Sequence, residues 1–338
     1  MNTERFEELT SRYSTLRIGL LGDFCLDRYL EIDPARGETS IETGLPVYNV
    51  TNVRSQPGAA GTIMNNLLAL GVGSIFPIGF CGRDGEGWEL QDSLRRDPRV
   101  HTEGFFQTPQ RRTFTYTKPL ILKKDAHPQE LSRLDIKNWK PAPEEVESQL
   151  IANLRALAPR MDALIVMDQV DIPETGVVTA AVRKAVNEIA LAFPDLTILA
   201  DSRRGLADWP PVIFKMNAKE LGALTGQDVS DVAAVERVAA ELAQKNGRPV
   251  FVTLAEKGMV GASLETITHH MPSLPIRGEI DIVGAGDSVS ANLTTALAAG
   301  ASIPEAIALA SAAASIVIHQ LGTTGTASVE NLRGILAS

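Results

Sequence analysis

The residues Asp281-Ile282-Val283-Gly284-Ala285-Gly286-Asp287-Ser288 hold the densest chemistry in the chain, and a run of mostly small and apolar residues, 289–299, follows at once. The pattern reads as a strand end, a glycine turn and a helix start, with Asp287 where the helix begins. Gly284, Ala285 and Gly286 have almost no side chain, so a ligand can approach their backbone N–H groups. The first N–H groups of a helix lack intrahelical partners, and the helix dipole adds partial positive charge there. Such a turn suits a phosphate or a developing anion. The same positive end is expected to keep Asp287 ionised, as a carboxylate able to accept a proton. An anion hole and a base in one turn meet the needs of phosphoryl transfer to a hydroxyl group. The bland alternative is an ordinary glycine turn before a helix.

Other polar residues sit at the ends of apolar runs. Asp27 follows the first predicted strand, where a carboxylate can accept from two adjacent hydroxyls or serve as a local turn. Asp23 is an additional candidate beside it. Asn217 and Glu220 lie just past a strand, three apart, so both can face one side of a first helical turn. An N-cap Asn with a Glu reaching back has the same spacing. Asp168 ends a strand and is a candidate for reaching the acceptor, or a loop residue. Arg203, at another strand end, can match a phosphate with its fork of donors or be a plain surface arginine. The five histidines are scattered, show no metal spacing and receive no role.

These residues need a scaffold. The 338-residue chain can hold one large α/β domain, or one with an inserted subdomain, and its 44% hydrophobic content supports a sizeable core. Runs at 17–22, 74–79, 163–167, 196–200, 212–216 and 250–254 are strand-like. Helical patterns cover 62–70, 143–157, 177–193 and 230–245, the last with Ser230 as N-cap and Gly247 beyond its end. Ser302-Ile303-Pro304-Glu305 is a capping box before an alanine-rich helix through His319. Alternating strands and helices predict a mostly parallel sheet covered on both faces, with ligands outside the carboxyl ends of the strands. Two β-rich excursions, about 31–57 and 108–136, are expected to pair as a small lid sheet over one face. The second contains Thr113, Thr115 and Thr117 and a basic Lys123-Lys124 turn. The whole of 1–338 reads as a single domain.

Composition narrows the function. The formal charge is −9, from 32 basic and 41 acidic residues, and no basic cluster exceeds two or three residues, so nucleic-acid binding is not expected. Cys25 and Cys81 follow the first and second predicted strands and read as reduced, buried thiols. The N-terminal residues 1–14 read as a short amphipathic helix. The chain shows no signal-peptide core and no bilayer-spanning run, so a soluble, cytoplasmic protein with no membrane partner is expected.

The octet closely resembles the D-T-V-G-A-G-D motif of the PfkB (ribokinase-like) carbohydrate kinases. Asn217-Ala218-Lys219-Glu220 matches that family's N-x-x-E, and Gly58-Ala59-Ala60-Gly61 occupies the place of its N-terminal glycine-rich sugar motif. The resemblance runs from about Arg17 to about Leu332. It implies a ribokinase-like α/β fold and ATP-dependent phosphorylation of a sugar or sugar phosphate, with Mg2+ and, as in many members, K+. It implies that Asp287 is the base and that Gly284, Ala285 and Gly286 form the anion hole. Asp27, Gly58, Ala59 and Thr62 would hold the sugar, with Asp23, Asp168 and Arg203 as further candidates. Asn217 and Glu220 would organise hydrated Mg2+, which prefers oxygen ligands and keeps several waters. Val252-Thr253-Leu254-Ala255-Glu256-Lys257-Gly258 resembles the V-T-x-G-x-x-G nucleotide loop, making Thr253, Lys257 and Gly258 ATP contacts beside Asn217, Gly286 and the small-sided helix of Ser315. Asp281 and Val283 mark the K+ candidate. The stretch 82–87 resembles the family's G-x-D-x-x-G and reads as a structural turn.

Departures fall in the sugar motif and in the nucleotide loop. Ala59 stands for the second glycine, Thr62 for the sugar-binding Asn, and Ala255 for the first glycine of the nucleotide loop. Within the family, the kinase domain of bifunctional ADP-heptose synthases is most similar: G-D-V-M-L-D-R-Y resembles 22–29, S-P-E-A-P-V-P-V resembles 40–47, L-R-L-D resembles 132–135, and L-G-T resembles 321–323. Those proteins phosphorylate the anomeric hydroxyl of a heptose 7-phosphate. The H-x-G-H motif of their nucleotidyltransferase domain does not occur in these residues, so that second step is not expected of this chain by itself. A nucleoside or pyridoxal-type kinase of the same fold, or a non-catalytic sugar or nucleotide sensor, are the alternatives. Pairing of two lids as a homodimer is a further expectation.

Overall fold

The computed structural model describes residues 1–123, 126–322 and 324–336. Lys124 of the basic turn and Thr323 of the 321–323 stretch lie outside the described residues. The strands are β1 (Arg17–Gly22), β2 (Phe24–Ile32), β3 (Glu38–Thr39), β4 (Pro46–Val47), β5 (Val50–Ala59), β6 (Ser74–Gly82), β7 (Phe105–Thr108), β8 (Phe114–Lys123), β9 (Ala126–Glu130), β10 (Leu134–Ile136), β11 (Ala163–Asp168), β12 (Thr197–Ser202), β13 (Ile213–Asn217), β14 (Val250–Thr253), β15 (Met259–Ala262) and β16 (Thr268–Met271). The helices are α1 (Thr3–Ser11), α2 (Ala60–Ala69), α3 (Gly85–Leu94), α4 (Glu144–Leu157), α5 (Ala180–Ala192), α6 (Ala218–Thr225), α7 (Val232–Asn246), α8 (Ala285–Ala298), α9 (Ile303–Val317) and α10 (Val329–Leu336).

Nine strands form the main sheet in the order β16-β15-β14-β13-β12-β11-β1-β6-β7. It is parallel from β7 to β14, and β15 and β16 add an antiparallel edge. Period-2 alternation splits the strand side chains between two packing layers. Ala163, Ile165 and Met167 of β11 join the layer built with α2, α8 and α9. Leu164 and Val166 join the opposite layer, built with α4, α5 and α7. Because they run parallel, β11 to β14 bring their carboxyl ends to one rim. Among the described residues, no helix is long and apolar enough to cross a membrane.

The small sheet is ordered β10-β8-β2-β5, with β9 on β8. It begins earlier than the sequence reading placed it. Only Asp23 separates β1 from β2, so the chain passes from one sheet into the other at Phe24. β2 then pairs antiparallel with β5 and parallel with β8, setting Asp27 opposite both Gln56 and Tyr116. At the other end, β5 runs through Gly58 and Ala59 directly into α2, with no loop between them.

Several boundaries differ for local reasons. Asp231, not Ser230, caps α7: its carboxylate accepts from the Ala234 N–H, while the Ser230 hydroxyl donates to Asp228. The helix expected from 177 starts at Ala180, after the N-cap Thr179. The capping box at Ser302 and Glu305 is present, and α9 ends at Val317. Asp84 caps α3 and also accepts from Thr113, which gives the 82–87 stretch its structural role. Cys25 and Cys81 are free and buried, in opposite packing layers.

Candidate active site

Gly284 is the N-cap of α8, at φ 83°. A side chain there would be strained and would crowd Thr324 and Thr62, at 3.3 and 3.4 Å. The first helical bond runs from the Ser288 N–H to the Gly284 carbonyl, 2.9 Å. The Ala285 N–H is engaged with the Ile282 carbonyl at 3.2 Å, so the N–H groups of this turn that remain for a ligand are those of Gly286 and Asp287. Asp287 is half-buried. Burial and the neighbouring Asp201 push its carboxyl up to about 7, with Asp27 adding to the effect and Lys215 opposing it. The expectation of an acid kept ionised by the helix end is corrected on this point: burial, helped by the neighbouring carboxylates, outweighs the dipole.

Beneath the turn lies a buried network that the sequence reading missed. Lys215 Nζ is 2.7 Å from Asp201 Oδ2, and Ser290 of α8 donates to the same oxygen at 2.8 Å. A Cβ on Gly286 would come within 3.2 Å of Lys215 Nζ, so the ammonium lies against the turn. The available signal was a lysine in the otherwise apolar stretch 212–216, since lysine is rarely buried without a partner.

On the far side of the turn opens a cavity of about 700 Å3. Asn217, Thr253, Lys257, Gly258, Gly286 and Ser315 all line it, and Ile276, Ile280 and Ile282 supply an apolar wall. Asn217 and Glu220 form a reciprocal capping box, at 2.8 and 2.9 Å. That bond takes Glu220 Oε2 and leaves Oε1 for other partners, while burial raises the carboxyl. Lys257 reaches the Ser230 carbonyl at 3.4 Å. Gly258 has φ 95°, and a Cβ there would run into the backbone of β16 and the residues after it, so the turn itself demands glycine. Asp281 accepts from the Val283 N–H at 3.0 Å and donates its own N–H to Ile318, tying the octet to the end of α9. His319 completes that tie: Nε2 accepts from the Arg277 N–H and Nδ1–H donates to the Ser315 carbonyl.

On the near side stands the small sheet. The Asp27 carboxylate lies directly over Gly58, where a Cβ would overlap it and approach Cys25 Sγ at 2.7 Å. Burial raises the Asp27 carboxyl, while the charges of Lys118 and Arg133 pull it down. Lys118 lies 5.2 Å from the Tyr29 ring, and Arg133, paired with Asp135, lies 5.1 Å from the Tyr116 ring. Arg203 is exposed, and its charge bears on Tyr116. Thr62 is buried, with its methyl group toward Gly284. Ala59 has φ 53°.

The sequence profile of the pfkB family carbohydrate kinases matches residues 25–330. The chain belongs to that family. It is 30% identical over 343 aligned residues to the bifunctional protein HldE of Trichlorobacter lovleyi, and 29% identical over 335 to that of a Bradyrhizobium species. Those alignments cover 99% and 98% of this chain and 66% of each relative, so the chain spans about two thirds of their length. Among solved structures, phosphofructokinase-2 from Escherichia coli with substrates and products aligns with TM-score 0.71 at 19% identity, over 95% of this chain and 98% of that one. Ribokinase from Arabidopsis thaliana with ribose and ATP aligns with TM-score 0.68 at 18%, over 94% and 98%. The fold is ribokinase-like, and the protein is an ATP-dependent carbohydrate kinase.

Two of the strand-end aspartates do not face this kinase site. Asp23 is buried, and its two oxygens accept from the N–H groups of Gln169, Val170 and Val177 at 2.9, 3.1 and 2.7 Å. It pins the 169–177 loop and is taken out of the set of sugar ligands. Asp168 is also buried, held by Ser202 at 2.7 Å and Arg204 at 2.9 Å. It fixes the loop that carries Arg203, and its oxygens are occupied before any substrate arrives. Asp27 and Asp287, by contrast, are half-buried, and the charge of Asp27 bears on Asp287.

Proposed function

We propose that this pfkB kinase transfers the γ-phosphoryl group of ATP to the anomeric hydroxyl of a sugar that already carries a phosphate, as in a heptose 7-phosphate. The observation that carries this reading is the position of Asp287. It follows Gly286, which lines the 700 Å3 cavity whose apolar wall and polar rim fit a nucleotide, and it lies within the electrostatic reach of Asp27 on the small sheet. Asp27 accepts sugar hydroxyls, with Gly58 leaving room for its carboxylate. Lys118, Arg133 and Arg203 bring three cations to the same side, which suits a phosphate on the acceptor. The HldE names of the relatives support a heptose acceptor.

Asp287 takes the proton of the attacking hydroxyl, and the N–H groups of Gly286 and Asp287 hold the charge that develops. The donors present fit a hydrated Mg2+: among the described residues no three His, Cys, Asp or Glu side chains converge as a cage, and Glu220 and Asn217 offer oxygens beside the cavity. Mg2+ would neutralise phosphate charge there. The loop of Asp281 and Val283 is the K+ candidate. The small sheet serves as a lid that excludes water, with Gln56 of β5 bonded to Thr324 at 2.8 Å across the opening. Exposed Ile41, Leu45, Tyr48 and Val53 on the same arm fit pairing with a second copy, which a light-scattering mass checks.

The test is ADP release from ATP with Mg2+, with and without K+, against sugar phosphates, free sugars and nucleosides. Turnover with a phosphorylated sugar, and none with its unphosphorylated form, is expected. Preference for a nucleoside would overturn the acceptor assignment, and ATP binding without turnover on any acceptor would point to a sensor.

A further inference from the structure

A buried lysine next to a phosphate-binding turn calls for an explanation that the known motifs of the family do not contain. Lys215 is 7% exposed. Removing an ammonium ion from water is costly, and a single carboxylate partner often fails to offset that cost. An apolar residue would serve the strand better if stability were the only demand. Lys215 has three N–H donors, and Asp201 takes one of them. Asp201 is itself anchored by Ser290, so the pair is held by three elements, β12, β13 and α8, and its position is fixed before any ligand arrives.

The direction of the ammonium is as informative as its burial. It lies against Gly286, whose missing side chain leaves that side of the turn open, and Gly286 lines the cavity. The charges that bear on it come from three elements: Asp201 from β12, Asp287 from α8 and Glu220 from α6. Asp201 already takes up the charge of the ammonium, and the raised carboxyls of Asp287 and Glu220 add acid beside the pair, so without the lysine the spot would repel a nucleotide phosphate. A lysine fixed there reduces that repulsion where the transferred group must pass.

We propose that Lys215 is a further catalytic residue, whose ammonium group, tethered by Asp201, contacts the phosphoryl group as it passes from nucleotide to acceptor. The proposal rests on the kinase reading above. In the step, the bond between the γ-phosphorus and its bridging oxygen breaks and its electrons stay on the nucleoside diphosphate. A bond forms to the acceptor oxygen, whose proton goes to Asp287. Lys215 keeps all its protons and supplies charge and hydrogen bonds alone.

The test separates this role from a structural ion pair by asking which phosphate the residue senses. Calorimetric binding of ADP and of the non-hydrolysable analogue AMP-PNP, each with Mg2+, is measured for the parent, for Lys215→Gln, and for the double variant Lys215→Met with Asp201→Asn. The double variant leaves no carboxylate buried alone, and Lys215→Gln keeps a hydrogen-bond partner for Asp201, so at least one of them is expected to melt near the parent temperature. The expected result is ADP affinity within about 3-fold of the parent and AMP-PNP affinity weakened by about 10- to 100-fold, the value of a charged hydrogen bond. Lys215→Arg is expected to recover part of the AMP-PNP loss. Equal weakening for both nucleotides, or none for either, would overturn the inference. A parent protein that binds neither nucleotide would remove the kinase reading itself, and the inference with it.

Discussion

Asp23 and Asp168 stand at strand ends, Asp27 lies within β2 and Asp287 in the first turn of α8, and the four divide into two pairs. Asp23 and Asp168 have their oxygens occupied, the first by three backbone N–H groups and the second by Ser202 and Arg204. Asp27 and Asp287 are half-buried between the two sheets, and neither carboxylate is saturated by donors. The first pair shapes loops; the second is free to meet a substrate. A carboxylate at the end of a parallel strand is therefore only a position. Its role is decided by how many donors the fold has already aimed at it, and burial without donors leaves the charge free for chemistry.

The strongest attack on this division is to neutralise one member of each pair. Asp287→Asn keeps the shape and removes the base, so turnover should fall by ~10²–10⁴-fold with little change in ATP affinity, read from kcat and from nucleotide binding. Full turnover in that variant would remove Asp287 from the mechanism. Asp23→Ala should act on the other quantity. It leaves three buried N–H groups without an acceptor, so unfolding in urea should lose about 3–5 kcal/mol, while the turnover of the folded fraction stays far closer to the parent than that of Asp287→Asn.

A pH series sharpens the same contrast. The Asp287 carboxyl is pushed up to about 7 in the folded chain. Since the ionised form must accept the proton, kcat/KM should rise with pH through a limb near 7. The stability effect has the opposite sign. A folded pKa above the unfolded value favours the folded state at low pH, and that advantage is lost as pH climbs from about 4 through about 7. Asp287→Asn has no such loss, so at pH 8 it should be more stable than the parent by roughly 2 kcal/mol after solvent screening. Melting curves of parent and variant at pH 4 and pH 8 read the difference; a gap between the two proteins that is the same at both pH values would show that burial does not load this carboxylate.

On the acceptor side, Lys118→Met should raise KM for a phosphorylated sugar about 10-fold and leave KM for ATP unchanged, the loss of one partly exposed charge contact. An equal rise for an unphosphorylated sugar would move Lys118 out of phosphate recognition and into support of Asp27.

What could be read in the sequence follows the range of the interactions. The octet, both capping boxes and the strand alternation are local patterns, decided within a few residues, and the family motifs lie on them. The Asp201–Lys215–Ser290 network joins three elements, with Ser290 lying 89 residues from Asp201, so no window contains it. Asp23 looked like a sugar ligand because its partners are backbone N–H groups 146 to 154 residues on, which carry no residue-type signal at all. The nucleotide side, built on the main sheet, was legible through matching motifs. The acceptor side was not, because its cations come from β8, the loop before β10 and the loop after β12, and because β2 leaves the main sheet at Phe24 with no turn residue to announce it.

The smallest expected effect tests the departures in the two glycine motifs. Ala59 and Ala255 both adopt positive φ, at 53° and 52°, where relatives of this pattern place glycine. Ala59 joins β5 to α2 with ψ −115°, outside the left-handed helical well, and it is buried, so the neighbouring chain holds it there. Such strain costs of order 1–3 kcal/mol, while a glycine gives back up to about 1 kcal/mol through the freer unfolded chain. Ala59→Gly should therefore stabilise by about 1 kcal/mol. Ala255 is exposed, and its loop can relax, so Ala255→Gly should change stability by less than about half as much. If Ala59→Gly also raises KM for the sugar, the strained alanine is holding the Gly58 backbone in place beneath Asp27; if stability changes alone, the departure from glycine leaves acceptor binding unaffected and the search for specificity moves to Thr62 and the cations of the small sheet.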